Sequence, residues 1–360
     1  MSSYDTIIVG GGLTGLLLTH RLHLAGQKVA LLDAREALGG RYHRQSFRQP
    51  FSSPNLDFFP ATNENVELTD WVKSVAPIPL HFEVREHRPQ IFDDGKWKPF
   101  AGFGDVSFQS VSELSFFNHS HELHMEPGTD QLVRALVEQL PIAAHTLAEV
   151  TSIHTEEDRV RTLIVNGDKT LAAERFIFTP HPTLLNGLIE GDGLAPKHRT
   201  RLAKMTSWTA VILELSHSPA LVEDSDVRLF SHGAKDFEPV VGRVFGELSR
   251  WMTLVPEERE SDHEFIGQCI RHIKRQLKRA WPLALEGPQT EKIYILSRAF
   301  GQHNLKGKDP FRFPEFSNFY VSSHALAEQP GALGSLEIAR SLEAELLGGL
   351  NRLPELGASC

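Results

Sequence analysis

The run Tyr4-Asp5-Thr6-Ile7-Ile8-Val9 breaks directly into Gly10-Gly11-Gly12-Leu13-Thr14-Gly15, and a helix-patterned stretch from Leu16 to Ala25 follows. Gly26 ends that helix, a second apolar strand runs from Lys28 to Leu32, and Asp33 closes it. A strand, a G-x-G-x-x-G turn, a helix and an acidic strand tip, in this order, spell a dinucleotide-binding βαβ unit. Gly10 permits the tight turn, Gly12 lets a diphosphate approach the backbone, and Gly15 lets helix and strand pack closely. The helix start, with Leu13 and Thr14, presents unpaired N–H groups and the positive end of the helix dipole to phosphate. Asp33 is placed to accept hydrogen bonds from a ribose.

The unit begins at residue 4, so nothing is expected to precede the domain, and no charged region followed by an apolar one suggests a signal peptide. No apolar run approaches the roughly 18 residues of a membrane span. Leu13 to Leu24 is apolar but interrupted by His20, Arg21 and His23. Two cysteines, Cys269 and Cys360, cannot make a disulfide framework, which points to a reducing compartment, the cytoplasm. A hydrophobic fraction of 41% over 360 residues supports a substantial core and two domains, or one large interrupted one. The net charge of −9 argues against a general nucleic-acid surface.

Beyond Asp33 the chain reads Ala34-Arg35-Glu36-Ala37-Leu38-Gly39-Gly40-Arg41. Two glycines allow the backbone close to phosphates, and the arginine supplies a fixed charge. With the preceding unit, this segment resembles the flavin-containing amine oxidase superfamily, which includes monoamine and polyamine oxidases, protoporphyrinogen oxidase, phytoene-type desaturases and renalase. The resemblance implies FAD as cofactor. It implies Asp33 on the adenosine ribose with Ala34 and Arg35 beside it, and Gly39, Gly40 and Arg41 crossing the pyrophosphate.

Further along, Gln90 to Trp97 reads as a hairpin turned at Asp94-Gly95, inside a proline- and phenylalanine-rich passage from Phe47 to Phe117. Met125-Glu126-Pro127-Gly128 leads into an amphipathic helix bearing Leu132, Val133, Leu136, Val137 and Leu140, with Thr129 or Asp130 as its expected cap. Glu149 to Ile153 is a strand, Asn166-Gly167 a hairpin turn, and Ala173 to Pro180 a strand ending at proline. The same resemblance covers this succession and places the main chain of Val150 at the adenine edge.

Thr209 to Leu215 and Val240 to Phe245 read as strands of a second domain. Glu257 to Trp281 reads as one long helix, with Phe265, Ile266, Cys269, Ile270, Ile273 and Leu277 on one stripe and Arg271, Lys274, Arg275, Lys278 and Arg279 opposite. Such a basic face is ordinarily solvated. Ser317 to Ser323 is a final strand, and Gly331 to Ser341 opens the last helix. This is similar to the family's closing motif, which implies cofactor contacts at Ser323, Gly334, Ser335 and Leu336 and a helix N-terminus lying against the flavin pyrimidine. Where the family has Gly-Glu or Gly-Asp, this chain has Ser323-His324. A carboxylate is therefore missing, though a hydroxyl can still bond ribityl or phosphate oxygens.

The expected architecture is α/β. Residues 1–60, 125–190 and 310–352 form a Rossmann-like FAD-binding domain, 61–124 and 191–309 an α+β substrate domain with a mixed or antiparallel sheet, and 353–360 a tail. The implied activity is FAD-dependent oxidoreduction of amine-oxidase-like type, a hydride equivalent passing from a C–N or C–C bond of a small organic substrate to flavin N5. O2 or a redox partner would reoxidise the flavin. Two alternatives stand beside it: a renalase-like oxidase of NAD(P)H-type dihydronicotinamides, and a flavoprotein that acts on a partner protein or serves as a non-catalytic accessory. Only four tyrosines occur, and neither Tyr nor Trp follows Tyr320, which counts against an aromatic amine cage. No cysteine sits near the closing motif, so a cysteinyl flavin is not expected. Lys292, Lys306 and Lys308 are candidates for a catalytic lysine, but nothing selects one. His119, His121 and His124 fall on opposite faces of an extended strand, poor geometry for a single metal, so none is expected.

Overall fold

The computed structural model describes residues 4–43, 57–104, 108–191, 193–223, 226–234, 237–287, 290–302 and 312–348. Lys306, Lys308, Cys360, the tail 353–360 and the first part of the proline- and phenylalanine-rich passage lie outside the described residues.

Strands β1 (Tyr4–Val9), β2 (Val29–Leu32), β9 (Lys169–Phe178) and β15 (Phe319–Val321) pair in parallel in the order β2-β1-β9-β15. The start of β9 pairs antiparallel with β8 (Arg159–Val165), and β8 with β7 (Val150–Glu156). Side chains alternate across this sheet. Ile8, Leu31, Ile177 and Tyr320 face one core, while Ile7, Leu32, Phe176, Phe178 and Val321 face another. Burial on both sides explains why the strands read as continuous apolar runs.

The first core is roofed by α1 (Leu13–Leu24), α2 (Asn63–Val75), α4 (Thr129–Glu138) and α8 (Gly331–Gly348). The β7–β8 hairpin, α5 (Leu185–Leu188) and α6 (Pro196–Ala203) cover the second. Thus α2 packs on the Rossmann-like layer with α1 and α8, although it is remote from both in sequence.

A seven-stranded sheet has the order β14-β10-β13-β12-β11-β4-β5. Its members are β4 (Gln90–Asp93), β5 (Lys96–Pro99), β10 (Thr206–Ser216), β11 (Asp226–Ser231), β12 (Val240–Phe245), β13 (Leu248–Pro256) and β14 (Thr290–Gln302). All neighbours are antiparallel except β11 and β4. Helix α7 (His263–Ala280) lies on one face; the other carries Phe58, Phe100, Phe103, Phe117, Trp208, Phe230 and Phe300, with Leu114 from α3 (Val111–Ser115). Strands β3 (His81–Glu86) and β6 (His121–Glu126) make a separate ribbon.

Two local expectations are corrected. The helix expected from Glu257 starts at His263, because Asp262 caps it by accepting the Phe265 N–H at 2.9 Å, and Glu257–Arg259 form a separate 3-10 turn. Helix α4 is capped by neither Thr129 nor Asp130: both lie inside its first turn and Gly128 is the N-cap. The hairpin turns Asp94-Gly95 and Asn166-Gly167 do form, with positive φ at all four residues. Among the described residues, no helix is long and apolar enough to cross a membrane.

Candidate cofactor and substrate site

The glycine turn is held by close backbone approaches. Gly10 has φ +98°, and a Cβ there would stand 2.4 Å from Oγ1 of Thr179, the hydroxyl that donates to the Val9 carbonyl at 2.9 Å. A Cβ on Gly15 would lie 1.9 Å from the Gly10 carbonyl oxygen, so no larger residue fits. Gly12 differs: it is the N-cap of α1, with no side-chain cap, and a Cβ there would meet nothing within 4 Å. Open space therefore faces the N–H groups of Leu13 and Thr14, with no acidic side chain in the first turn.

Four other segments converge on this turn. Asp33 Oδ2 accepts the Gly11 N–H at 2.6 Å, and Oδ1 accepts the Arg35 N–H at 2.8 Å. Each carboxylate oxygen keeps a lone pair for a further donor, and Ala34 and Arg35 beside it are exposed. The Gly39 N–H donates to the Gly11 carbonyl at 2.8 Å, and a Cβ on Gly40, at φ +58°, would stand 3.0 Å from Gly12 Cα. This fold-back delivers Arg41 to the turn. The chain before β7 runs beside the tip of β2, where the Ala148 N–H donates to the Asp33 carbonyl, so Val150 starts its strand two residues from that contact.

The fourth segment is the end of β15. Ser322 and Ser323 are fully buried, and the Ser322 hydroxyl has no hydrogen-bond partner among the described residues. The Ser323 hydroxyl accepts the Ala325 N–H at 3.4 Å. Next to it, His324 Nε2 lies 2.7 Å from Arg41 Nη2 and 3.1 Å from the Arg298 carbonyl oxygen. Burial, and then the positive charge of Arg41, push the His324 imidazole down to about 3. Arg41 forms no ion pair among the described residues; burial lowers its proton affinity, which Tyr42 and then Asp57 oppose through space.

Gly334, Ser335 and Leu336 sit one turn inside α8, which starts at Gly331. A Cβ on Gly334 would meet the Gln329 carbonyl oxygen at 2.1 Å, Leu336 is packed in the core with α1, and the Ser335 hydroxyl donates to the Gly331 carbonyl. Their side chains serve the helix's seating, and the free N–H groups belong to the turn before them.

Against that turn lies a narrow, partly open crevice of about 10 Å³, room for about one water, lined by Phe58, Phe116, Phe117 and Phe300 with Ala299, Pro330, Gly331 and Asp57. Among the described lining residues Asp57 alone is ionisable, and the Tyr42 hydroxyl donates to it at 3.3 Å. The aromatic wall is buttressed from behind by Arg228, whose guanidinium stands 4.1 Å over the Phe58 ring and donates to the Phe117 carbonyl at 3.3 Å. Arg228 in turn bonds Glu122, which lies 2.5 Å from His87 Nε2 and within ion-pair reach of Arg243. Burial would push the Glu122 carboxyl up, but Arg243, His87 and Arg228 hold it at about 2. Burial brings Arg228 down to about 10.

The pocket phenylalanines, Arg228 and His324 had no motif to announce them. Only the departure at Ser323-His324 pointed toward the last of these. The three histidines of the 119–124 segment have separate surroundings: His119 packs on Phe58 and Phe116, His121 bonds the Ser120 hydroxyl, and His124 meets Glu126. Cys269 lies on the buried face of α7, and burial pushes its thiol up to about 11, so it is no nucleophile.

A glycine turn, an acidic strand tip and the Gly39-Gly40 fold-back meet at the N-terminus of α1. In agreement, the NAD(P)-binding Rossmann-like domain family matches residues 8–64. Among curated proteins, (S)-6-hydroxynicotine oxidase of Paenarthrobacter nicotinovorans is 52% identical over 48 residues, 13% of this chain and 11% of that protein. The chain thus matches about a tenth of that relative's length.

Across nearly the whole chain the likeness is one of fold. Putrescine oxidase bound to putrescine has a TM-score of 0.66 at 13% identity, covering 96% of this chain and 99% of that one. An oxidoreductase from Methanosarcina mazei has 0.66 at 15%, covering 94% and 99%. A protein of Exiguobacterium sp. 255-15, provisionally assigned as a protoporphyrinogen oxidase, has 0.67 at 15%, covering 96% and 99%. The chain has the α/β fold of these oxidase and oxidoreductase structures, a Rossmann-like layer joined to a mixed sheet, and its N-terminal segment is similar in sequence to (S)-6-hydroxynicotine oxidase.

Proposed function

We propose that this chain is an FAD-dependent oxidoreductase of amine-oxidase-like type, which removes a hydride equivalent from a C–N or C–C bond of a small organic substrate. The observation that carries this reading is the convergence of the glycine turn, Asp33, Arg41 and the end of β15 around open space at the N-terminus of α1. The donor set fits FAD. The N–H groups of Leu13 and Thr14 and the Arg41 guanidinium would hold the diphosphate, with Gly10, Gly12, Gly15, Gly39 and Gly40 keeping the backbone close to it. Asp33 would hold the adenosine ribose beside Ala34 and Arg35. The main chain at Val150 would meet the adenine. When bound, the flavin supplies the hydride acceptor and passes electrons on to O2 or a redox partner.

The protein's own contribution is position and polarity. The first turn of α8 from Gly331, ahead of Gly334, Ser335 and Leu336, presents free N–H groups where negative charge would develop. Phe58, Phe116, Phe117 and Phe300 exclude water and hold an apolar substrate, while Asp57 accepts one hydrogen bond or pairs with one cation. Among the described residues the crevice is apolar apart from Asp57, which favours a small amine-like or apolar substrate. In domain terms, residues 1–60, 125–190 and 310–352 would hold the cofactor and 61–124 and 191–309 most of the substrate, with α2 as a structural brace of the cofactor layer.

The test is anaerobic mixing of the flavoprotein with small amines, apolar C–H donors and NADH, following flavin absorbance. Bleaching by an amine or apolar donor, slowed by about tenfold in Phe300→Leu, is expected, the usual scale for reshaping an apolar pocket. Bleaching by NADH alone would move the assignment to dihydronicotinamide oxidation. No bleaching by any class would favour action on a partner protein or an accessory role.

A further inference from the structure

We propose that His324 is a positioning residue for Arg41, a neutral acceptor that fixes the guanidinium beside the glycine turn while leaving its positive charge for an anionic diphosphate. The proposal rests on the FAD reading above and concerns how this chain holds that cofactor without a carboxylate at the end of β15.

A guanidinium can only donate hydrogen bonds. In the 2.7 Å contact, His324 Nε2 must therefore accept from Arg41 Nη2, which places the imidazole proton on Nδ1. The Arg298 carbonyl oxygen, 3.1 Å from the same nitrogen, could be served only by the other tautomer, so Arg41 decides between them. Burial beside Arg41 keeps the ring uncharged at neutral pH. The pair thus carries one net positive charge, with no ion pair to Arg41 among the described residues.

Its location makes that charge useful. Gly39 and Gly40 fold the chain back onto Gly11 and Gly12, so Arg41 follows directly on the closest backbone approach to the glycine turn at the N-terminus of α1. Two sources of positive potential, a helix terminus and a guanidinium, then act on one anion. A glutamate at 324 would give Arg41 the same geometric anchor but cancel its charge. An unanchored arginine would keep its charge and lose its place. A neutral imidazole supplies the anchor without the cancellation.

The experiment compares FAD dissociation constants of flavin-free wild type, His324→Gln, His324→Glu and Arg41→Met by flavin fluorescence, with the melting temperature of each flavin-free protein. His324→Gln, a neutral acceptor, should bind FAD within about threefold of wild type. His324→Glu and Arg41→Met should each weaken binding by about tenfold or more, the scale of one charge-assisted hydrogen bond. The flavin-free His324→Glu protein should melt no lower than wild type, since a buried Arg–Glu pair replaces Arg–His. Equal FAD affinity in His324→Glu and wild type overturns the proposal, as does a His324→Gln protein as weak as His324→Glu. A wild type that binds no FAD overturns the cofactor reading itself, an outcome distinct from either.

Discussion

The Rossmann-like layer and the seven-stranded sheet each wall one side of the candidate site, and they are built by different parts of the chain. Around the glycine turn, the defining contacts are made by backbone: Gly39 N–H to Gly11 carbonyl, Ala148 N–H to Asp33 carbonyl, Gly15 Cα against the Gly10 carbonyl. Around the pocket they are made by side chains, with Arg228 under Phe58 and Glu122 between Arg228 and Arg243. A backbone-made wall tolerates only residues without a Cβ at its closest points. A side-chain-made wall tolerates any set of residues that fills the volume and satisfies the buried charges.

The sharpest way to break this contrast is at the two neighbouring glycines. Gly15→Val should destabilise the protein by about 3 kcal/mol or more, since its Cβ would collide with backbone that cannot give. A denaturant midpoint measures it. Gly12→Ala, whose Cβ meets open space, should leave that midpoint nearly unchanged and lower FAD affinity instead. Equal effects of the two on stability would mean that Gly12 is structural as well.

On the pocket side, Glu122→Leu strands Arg228 in the interior while Arg243 keeps Asp226, and a loss of about 3 kcal/mol is expected for the broken buried ion pair. Substrate affinity should fall with it through Phe58 and Phe117, while FAD still binds to the fraction that remains folded.

Acid should act on both walls in different windows. His324 is held near 3 in the folded chain against 6.5 unfolded, so below pH 6.5 only the unfolded chain takes up that proton. Stability of the flavin-free protein should therefore fall from pH 6.5 toward 3, with buried His272, held near 4, adding to the slope. His324→Gln should flatten it. Glu122, depressed from 4.5 to about 2, stabilises fully above pH 4.5, and that contribution is lost as pH falls toward 2. Melting temperature against pH separates the windows.

The smallest expected effect lies far from either wall. Asp262→Ala removes the cap of α7 and should cost about 1 kcal/mol in denaturant midpoint, with FAD affinity untouched.

Legibility in the sequence followed the same division. The β1–α1–β2 unit, its acidic tip and the Asp94-Gly95 and Asn166-Gly167 turns were readable because each demands special residues within a few positions. The start of α7 was misjudged because the run from Glu257 keeps helical composition, and only the Asp262 side chain chooses the true start. The α4 cap was misjudged because Gly128, with no side chain, took the position offered to Thr129 or Asp130. The Arg41–His324 contact joins residues 283 apart and follows no periodicity. The phenylalanines of the pocket could have been ordinary core; only the fold brings Phe58, Phe117 and Phe300 to one space. Leu336 shows the opposite hazard, a motif position whose side chain is simply core.

The most direct test of the central claim is the absorption spectrum of the purified protein before and after heat denaturation and centrifugation. The account predicts paired flavin bands in the native protein, FAD stoichiometric with the chain on reconstitution, and all yellow colour released to the supernatant, because the sequence from Ser317 to Ser341 contains no cysteine. A protein that stays colourless after incubation with excess FAD would contradict it.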